Sequence, residues 1–138
     1  MKPLPKYRVL YIEDHADTVE MVTLMLEAGG LNVQACSTLE AGLAAAADQK
    51  FDLYLLDVWL PDGSGMDLCR KIREFDAKTP IVFYSAAAYD GDKDAALESG
   101  AQAYLVKPTD SPNLCERLFS LLDVNEDHHS PAKRDGRL

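Results

Sequence analysis

Five polar side chains each stand at the end of an apolar run: Glu13 and Asp14, Asp57, Ser85 and Lys107. Together they would supply three carboxylates, a hydroxyl and an ammonium group. Two carboxylates about 4 Å apart repel by roughly 4 kcal/mol at an effective dielectric of about 20. Three in one place therefore take up a proton or hold a cation between them. Oxygen-only ligands with room for water suit Mg²⁺ better than Zn²⁺, and no His/Cys cluster competes for zinc. Lys107 adds a fixed positive charge on the other side. A carboxylate held between Mg²⁺ and a lysine, with a hydroxyl near, is arranged to take a phosphoryl group. It attacks while metal and lysine neutralise the transferring oxygens.

Those side chains need a frame that brings distant strand ends together. The stretch from Phe51 to Leu68 is its centre. Phe51-Asp-Leu-Tyr-Leu-Leu is apolar on both faces, as in a central strand of a parallel sheet covered on both sides. Asp57 closes it, just before a turn rich in Pro and Gly. In open α/β sheets, ligands bind at that carboxyl edge.

The rest of the chain alternates in the same way. Arg8 to Asp14 reads as a buried strand ending in acids, and about Ala16 to Ala28 as a helix with Val19, Val22 and Leu26 inward. Asn32 to Cys36 suits an edge strand, and Ser37 to Glu40 has capping-box spacing before an Ala-rich helix with Leu39, Leu43 and Ala46 on one face. Ser64 can cap a third helix carrying Leu68, Ile72 and Phe75. Pro80 to Ala86 is a fourth strand, and about Asp92 to Ser99 a weak helix whose only large apolar residue is Leu97. Ala103 to Lys107 is a fifth strand. After Ser111-Pro112, Leu114, Leu118 and Leu121 line a last helix.

Five strand–helix units predict an α/β fold: a doubly wound, five-stranded parallel sheet with helices on both faces. No Gly-x-Gly-x-x-Gly follows the first strand, and the second strand reads as an edge, so the order 2-1-3-4-5 is preferred over the dinucleotide-binding order. That order sets Glu13, Asp14, Asp57, Ser85 and Lys107 along one edge. Residues 1–6 read as a leader, 7–123 as the domain and 124–138 as a flexible tail, with no output domain recognised.

Composition limits what else the chain does. Its 138 residues suit one domain, and a hydrophobic fraction of 47% supports a packed core. A net charge of −9 argues against direct nucleic-acid binding. No signal-peptide core or run of transmembrane length is present, and three cysteines without motif spacing read as reduced thiols. The expectation is a soluble cytoplasmic protein. His128-His129 and the nearby basic residues are too sparse for a metal site or a nucleic-acid arm.

The chain resembles the receiver domains of the response-regulator family of two-component signalling. The motifs that carry the likeness are Ile12-Glu-Asp14, Leu56-Asp57, Leu60-Pro-Asp-Gly63, Ser85-Ala86 and Tyr104-Leu-Val-Lys-Pro108, spread over about Tyr7 to Asp123. The resemblance implies that Asp57 is the phospho-acceptor and that Glu13, Asp14, Asp57 and the main-chain carbonyl of Trp59 hold Mg²⁺. Lys107 would bond the phosphoryl group beside a cis Lys107-Pro108 bond, and Ser85 and Tyr104 would be the switch pair. It also implies that Trp59 and Ala87 flank the path of hydrolytic water, the indole excluding it. Glu13 in place of the more usual aspartate, and the bulky Trp59, depart from the family pattern without removing a required group.

The function implied by that resemblance is a phosphorylation-dependent switch rather than an enzyme, one that assists only its own phosphorylation and dephosphorylation. A histidine kinase or histidine phosphotransfer protein would be the donor. A downstream protein, or a second copy, would read the face of the fourth helix, fifth strand and fifth helix. The alternative is a pseudo-receiver that binds partners without phosphorylation, but such modules typically lose one of the groups that are intact here. A dehalogenase-like phosphatase would want a second Asp two residues past Asp57, where Trp59 stands. A flavodoxin would want a hydroxyl-rich loop where Glu13-Asp-His-Ala-Asp17 stands.

Overall fold

The computed structural model describes residues 7–86 and 90–129. The expected leader, Ala87 and the chain from residue 130 onward lie outside the described residues, as do the side chains of His128 and His129. In chain order the elements are β1 (Tyr7–Ile12), α1 (Ala16–Ala28), β2 (Leu31–Cys36), α2 (Leu39–Asp48) and β3 (Leu53–Leu56). Next come β4 (Trp59–Leu60), β5 (Gly63–Ser64), α3 (Gly65–Arg73), β6 (Ile81–Ser85), α4 (Asp90–Glu98), β7 (Ala103–Val106) and α5 (Leu114–His129).

The main sheet has the order β2-β1-β3-β6-β7, and every pairing in it is parallel. With the small β4–β5 ribbon set aside, this is the expected 2-1-3-4-5 arrangement. The ribbon is antiparallel, pairing Trp59 with Ser64 and Leu60 with Gly63 across the Pro61-Asp62 turn.

Strand alternation splits the core into two layers. Leu10, Ile12, Tyr54, Leu56, Ile81 and Phe83 pack with Ala46, Leu68, Cys69, Ile72 and Ala96 from α2, α3 and α4. Val9, Tyr11, Leu53, Leu55, Val82, Tyr84 and Leu105 face Val22 and Leu26 of α1 and Leu114, Leu118 and Leu122 of α5. The central strand is buried on both faces, so its apolar run has no polar alternation to show.

Several boundaries differ from the sequence reading. The cap of α2 is Thr38, whose hydroxyl accepts from Ala41 N–H at 3.0 Å, rather than Ser37 in a box with Glu40. Two further amides at that end, those of Leu39 and Glu40, donate to the Asp62 carboxylate from the ribbon turn at 2.7 and 3.0 Å. These bonds hold Asp62 below the usual carboxylate range. Ser64 does cap α3, accepting from Met66 N–H at 3.0 Å. That helix ends at Arg73, which leaves Phe75 outside it and half-exposed. In α5 the buried register is Leu114, Leu118 and Leu122, with Leu121 only partly covered. A short 3₁₀ turn at Ser111–Asn113 precedes α5, which runs on to His129 although the apolar pattern fades near Asn125.

Candidate functional site

The strand ends converge because of register. Ile12 pairs with Leu56, so the next residues, Glu13 and Asp57, leave β1 and β3 side by side. Asp57 N–H donates to the Ile12 carbonyl at 3.1 Å, and Glu13 N–H to that of Cys36 at 3.0 Å. On the other side Ser85 pairs with Val106, and Lys107 N–H donates to the Ser85 carbonyl at 2.9 Å. The backbone is cis at Lys107-Pro108.

Backbone crowding fixes where Asp57 sits. Gly65 opens α3 against the end of β3, its N–H donating to the Val58 carbonyl at 2.7 Å. A Cβ at Gly65 would lie 2.0 Å from the Asp57 carbonyl oxygen, so only glycine allows the helix to start there. The turn from Asp57 to Gly65 therefore returns the chain onto the residue it left.

Glu13 and Asp57 are buried, at 0% and 6% exposure, whereas Asp14 is exposed. Lys107 Nζ forms an ion pair with Glu13 Oε1 and lies 3.6 Å from Asp57 Oδ2. The ammonium is also 5.4 Å from the ring centroid of Tyr84. Asp57 Oδ1 accepts from Val58 N–H at 2.7 Å. Burial pushes the Asp57 carboxyl up; a hydrogen bond with Ser85 and the Lys107 charge oppose this, while Glu13 adds to it, and the net direction is upward. Burial pushes Glu13 up as well, but hydrogen bonds from Lys107 and His15 outweigh it and hold it below the ordinary range.

Ser85 also links the site to the switch candidate. Tyr104 is half-buried and stacks on Phe83, its partner in register, with centroids 6.0 Å apart. Burial raises the Tyr104 phenol, and a hydrogen bond with Ser85 partly offsets that. Ser85 and Tyr104 stand on the neighbouring strands β6 and β7, at the carboxyl edge that carries the acid. Trp59, in contrast, is 68% exposed.

The sequence reading passed over His15. Its Nδ1 lies 3.0 Å from Glu13 Oε2 and 3.4 Å from Asp14 Oδ1. Its N–H donates to Glu13 Oε2 at 3.2 Å. These contacts raise the imidazole pKa, the Glu13 hydrogen bond first and the Asp14 charge second. Ligand atoms of Glu13, Asp14, His15 and Asp57 all lie within 4.8 Å of one another. Ligands about 2.1 Å from a cation on opposite sides sit about 4.2 Å apart, so shifts of tenths of an ångström would close the group on one ion. Three carboxylates make the donor set fit a hard divalent cation.

The response regulator receiver domain family matches residues 9–119. The chain belongs to this family. Its relatives include the KDP operon transcriptional regulatory protein KdpE of Escherichia coli K12, 40% identical over 110 residues, covering 80% of this chain and 48% of KdpE. The receiver thus spans about half the length of the curated relatives it matches. A CheY-like receiver domain from Methanospirillum hungatei superposes with a TM-score of 0.84 at 28% identity, covering 91% of this chain and 99% of that one. The receiver domain of the sensor histidine kinase PA1611 of Pseudomonas aeruginosa has a magnesium ion coordinated in its active-site cleft. It superposes with a TM-score of 0.78 at 27% identity, covering 85% of this chain and 98% of that one. No helix among the described residues of this receiver is long and apolar enough to cross a membrane.

Proposed function

We propose that this receiver is a phosphorylation-dependent signalling switch whose acceptor is Asp57. The observation that carries the reading is the meeting of Asp57, Glu13, Lys107 and Ser85 at one buried sheet edge. A carboxylate oxygen of Asp57 attacks the donor's phosphorus as the bond to the leaving group breaks, and that group departs with the electron pair. The product is an acyl phosphate. Glu13, Asp14, Asp57 and the Trp59 main-chain carbonyl are the residues that would hold Mg²⁺. When bound, it supplies charge neutralisation at the transferring oxygens.

Lys107 is placed to bond a phosphoryl oxygen, since its ammonium already lies on the Asp57 side of Glu13. Ser85 then turns from Asp57 toward the new phosphoryl group. The Tyr104 ring, stacked on Phe83 beside it, follows into the space vacated, which alters the face formed by α4, β7 and α5. The donor is a histidine kinase or histidine phosphotransfer protein in the cytoplasm, and the reader is a protein partner or a second copy. No external substrate is turned over.

Incubation with Mg²⁺ and acetyl phosphate should raise the intact mass by one phosphoryl group. Chelation by EDTA and the Asp57→Asn substitution should each abolish the gain. Labelling that survives in Asp57→Asn contradicts the reading.

A further inference from the structure

His15 occupies the N-cap position of α1, where Ser, Thr, Asp or Asn usually accepts a hydrogen bond from the first turn. Its side chain makes no such bond. Instead Nδ1 turns back toward the oxygens of Glu13 and Asp14, though the ring is 74% exposed. Burial does not force that orientation, and helix capping gains nothing from it. The imidazole is one of four donors within 4.8 Å of each other, the other three being carboxylates.

We propose that His15 is a specificity-determining ligand of the cation site, one that extends it from an all-oxygen Mg²⁺ site to one that takes borderline divalent ions such as Ni²⁺. The inference rests on the cation-dependent switch proposed above. Mg²⁺ binds oxygen and keeps several waters, so a neighbouring imidazole adds little to its affinity. Imidazole suits Ni²⁺ and Zn²⁺, which hold nitrogen far better. A nitrogen donor next to three carboxylates therefore selects among cations rather than strengthening binding of all of them. The oxygen donors alone follow the ordinary affinity order of the metals, so the signature of His15 is the change in the Ni²⁺ to Mg²⁺ preference on its removal.

The test is isothermal titration calorimetry of the full chain with MgCl2 and, separately, NiCl2 at about pH 8, where imidazole is more fully available to metal. His128 and His129 offer other imidazoles, so His128→Ala/His129→Ala is the background for both proteins. His15→Ala in that background should raise the Ni²⁺ dissociation constant about tenfold or more while moving that of Mg²⁺ by less than about twofold. Mg²⁺ added in excess should displace the Ni²⁺, showing one shared site. Unchanged Ni²⁺ affinity overturns the proposal. A parallel loss of both ions also overturns it, because His15 would then only position the carboxylates. Absence of Mg²⁺ binding in the unsubstituted protein counts against the switch reading, whereas the His15 dependence of Ni²⁺ binding decides this proposal alone.

Discussion

Lys107→Met isolates the electrostatics of the site, because methionine keeps most of the stem and removes the charge. In the wild type, Lys107 is the ion-pair partner of Glu13 Oε1, and Glu13 is fully buried. Removing one partner from a fully buried pair costs about 3–5 kcal/mol. Here Lys107 retains 18% exposure, and Glu13 Oε2 keeps its His15 contacts. The expected loss is therefore about 2–3 kcal/mol, read from urea unfolding in EDTA. Mg²⁺ at about a hundred times its dissociation constant stabilises a folded protein by about 2.7 kcal/mol. The variant lacks the competing ammonium, so Mg²⁺ should stabilise it more than the wild type and narrow the gap. The pH dependence has a definite sign. Glu13 is held below its ordinary value of 4.5, so its contribution is present above that value and is lost as pH falls through the folded one. The difference between the proteins should shrink as pH falls below 4.5. A loss under about 0.5 kcal/mol, or a gap that ignores both Mg²⁺ and pH, would refute the reasoning.

Gly65→Ala should lower stability by roughly 1–3 kcal/mol, since its Cβ would meet the Asp57 carbonyl at 2.0 Å; an unchanged urea midpoint contradicts this. Trp59→Asn should alter the acyl-phosphate half-life by less than about twofold, because the indole is 68% exposed, and a much faster decay would instead support the shielding role that the resemblance implies. Hydrogen exchange should change most across α4 and β7 on adding beryllofluoride with Mg²⁺. In α4, Ala96 is buried but Leu97 is 48% exposed, so little large apolar surface holds the helix down. Changes confined to α1 and α2 would contradict that.

The sheet order was legible because the strands carry strong signals: an apolar run buried on both faces at β3, a polar edge at β2, and acids at the carboxyl ends. The same ends named Glu13, Asp14, Asp57, Ser85 and Lys107, which the fold brings to one edge. Contacts made across the chain were not legible. Asp62 caps α2 from a distant turn, so local spacing pointed to Ser37 and Glu40 instead. Nothing in the sequence sets Gly65 apart from the neighbouring Gly63; only the fold brings it against the Asp57 carbonyl. His15 has no sequence partner for a metal motif; only the fold sets it against three carboxylates. Phe75 kept the helical period, but α3 ends first, and that left it half-exposed.

The measurement that most directly tests the acceptor assignment is chemical trapping of the phosphoryl adduct. Borohydride reduces an aspartyl phosphate to homoserine, with loss of the phosphate, and peptide mass spectrometry locates the product. After treatment with acetyl phosphate and Mg²⁺, homoserine should appear at position 57 and at no other acidic residue, and it should vanish when Mg²⁺ is chelated. Homoserine at Asp14, a glutamyl reduction product at Glu13, or a stable adduct on a hydroxyl such as Ser85 would contradict Asp57 as the residue that takes the phosphoryl group.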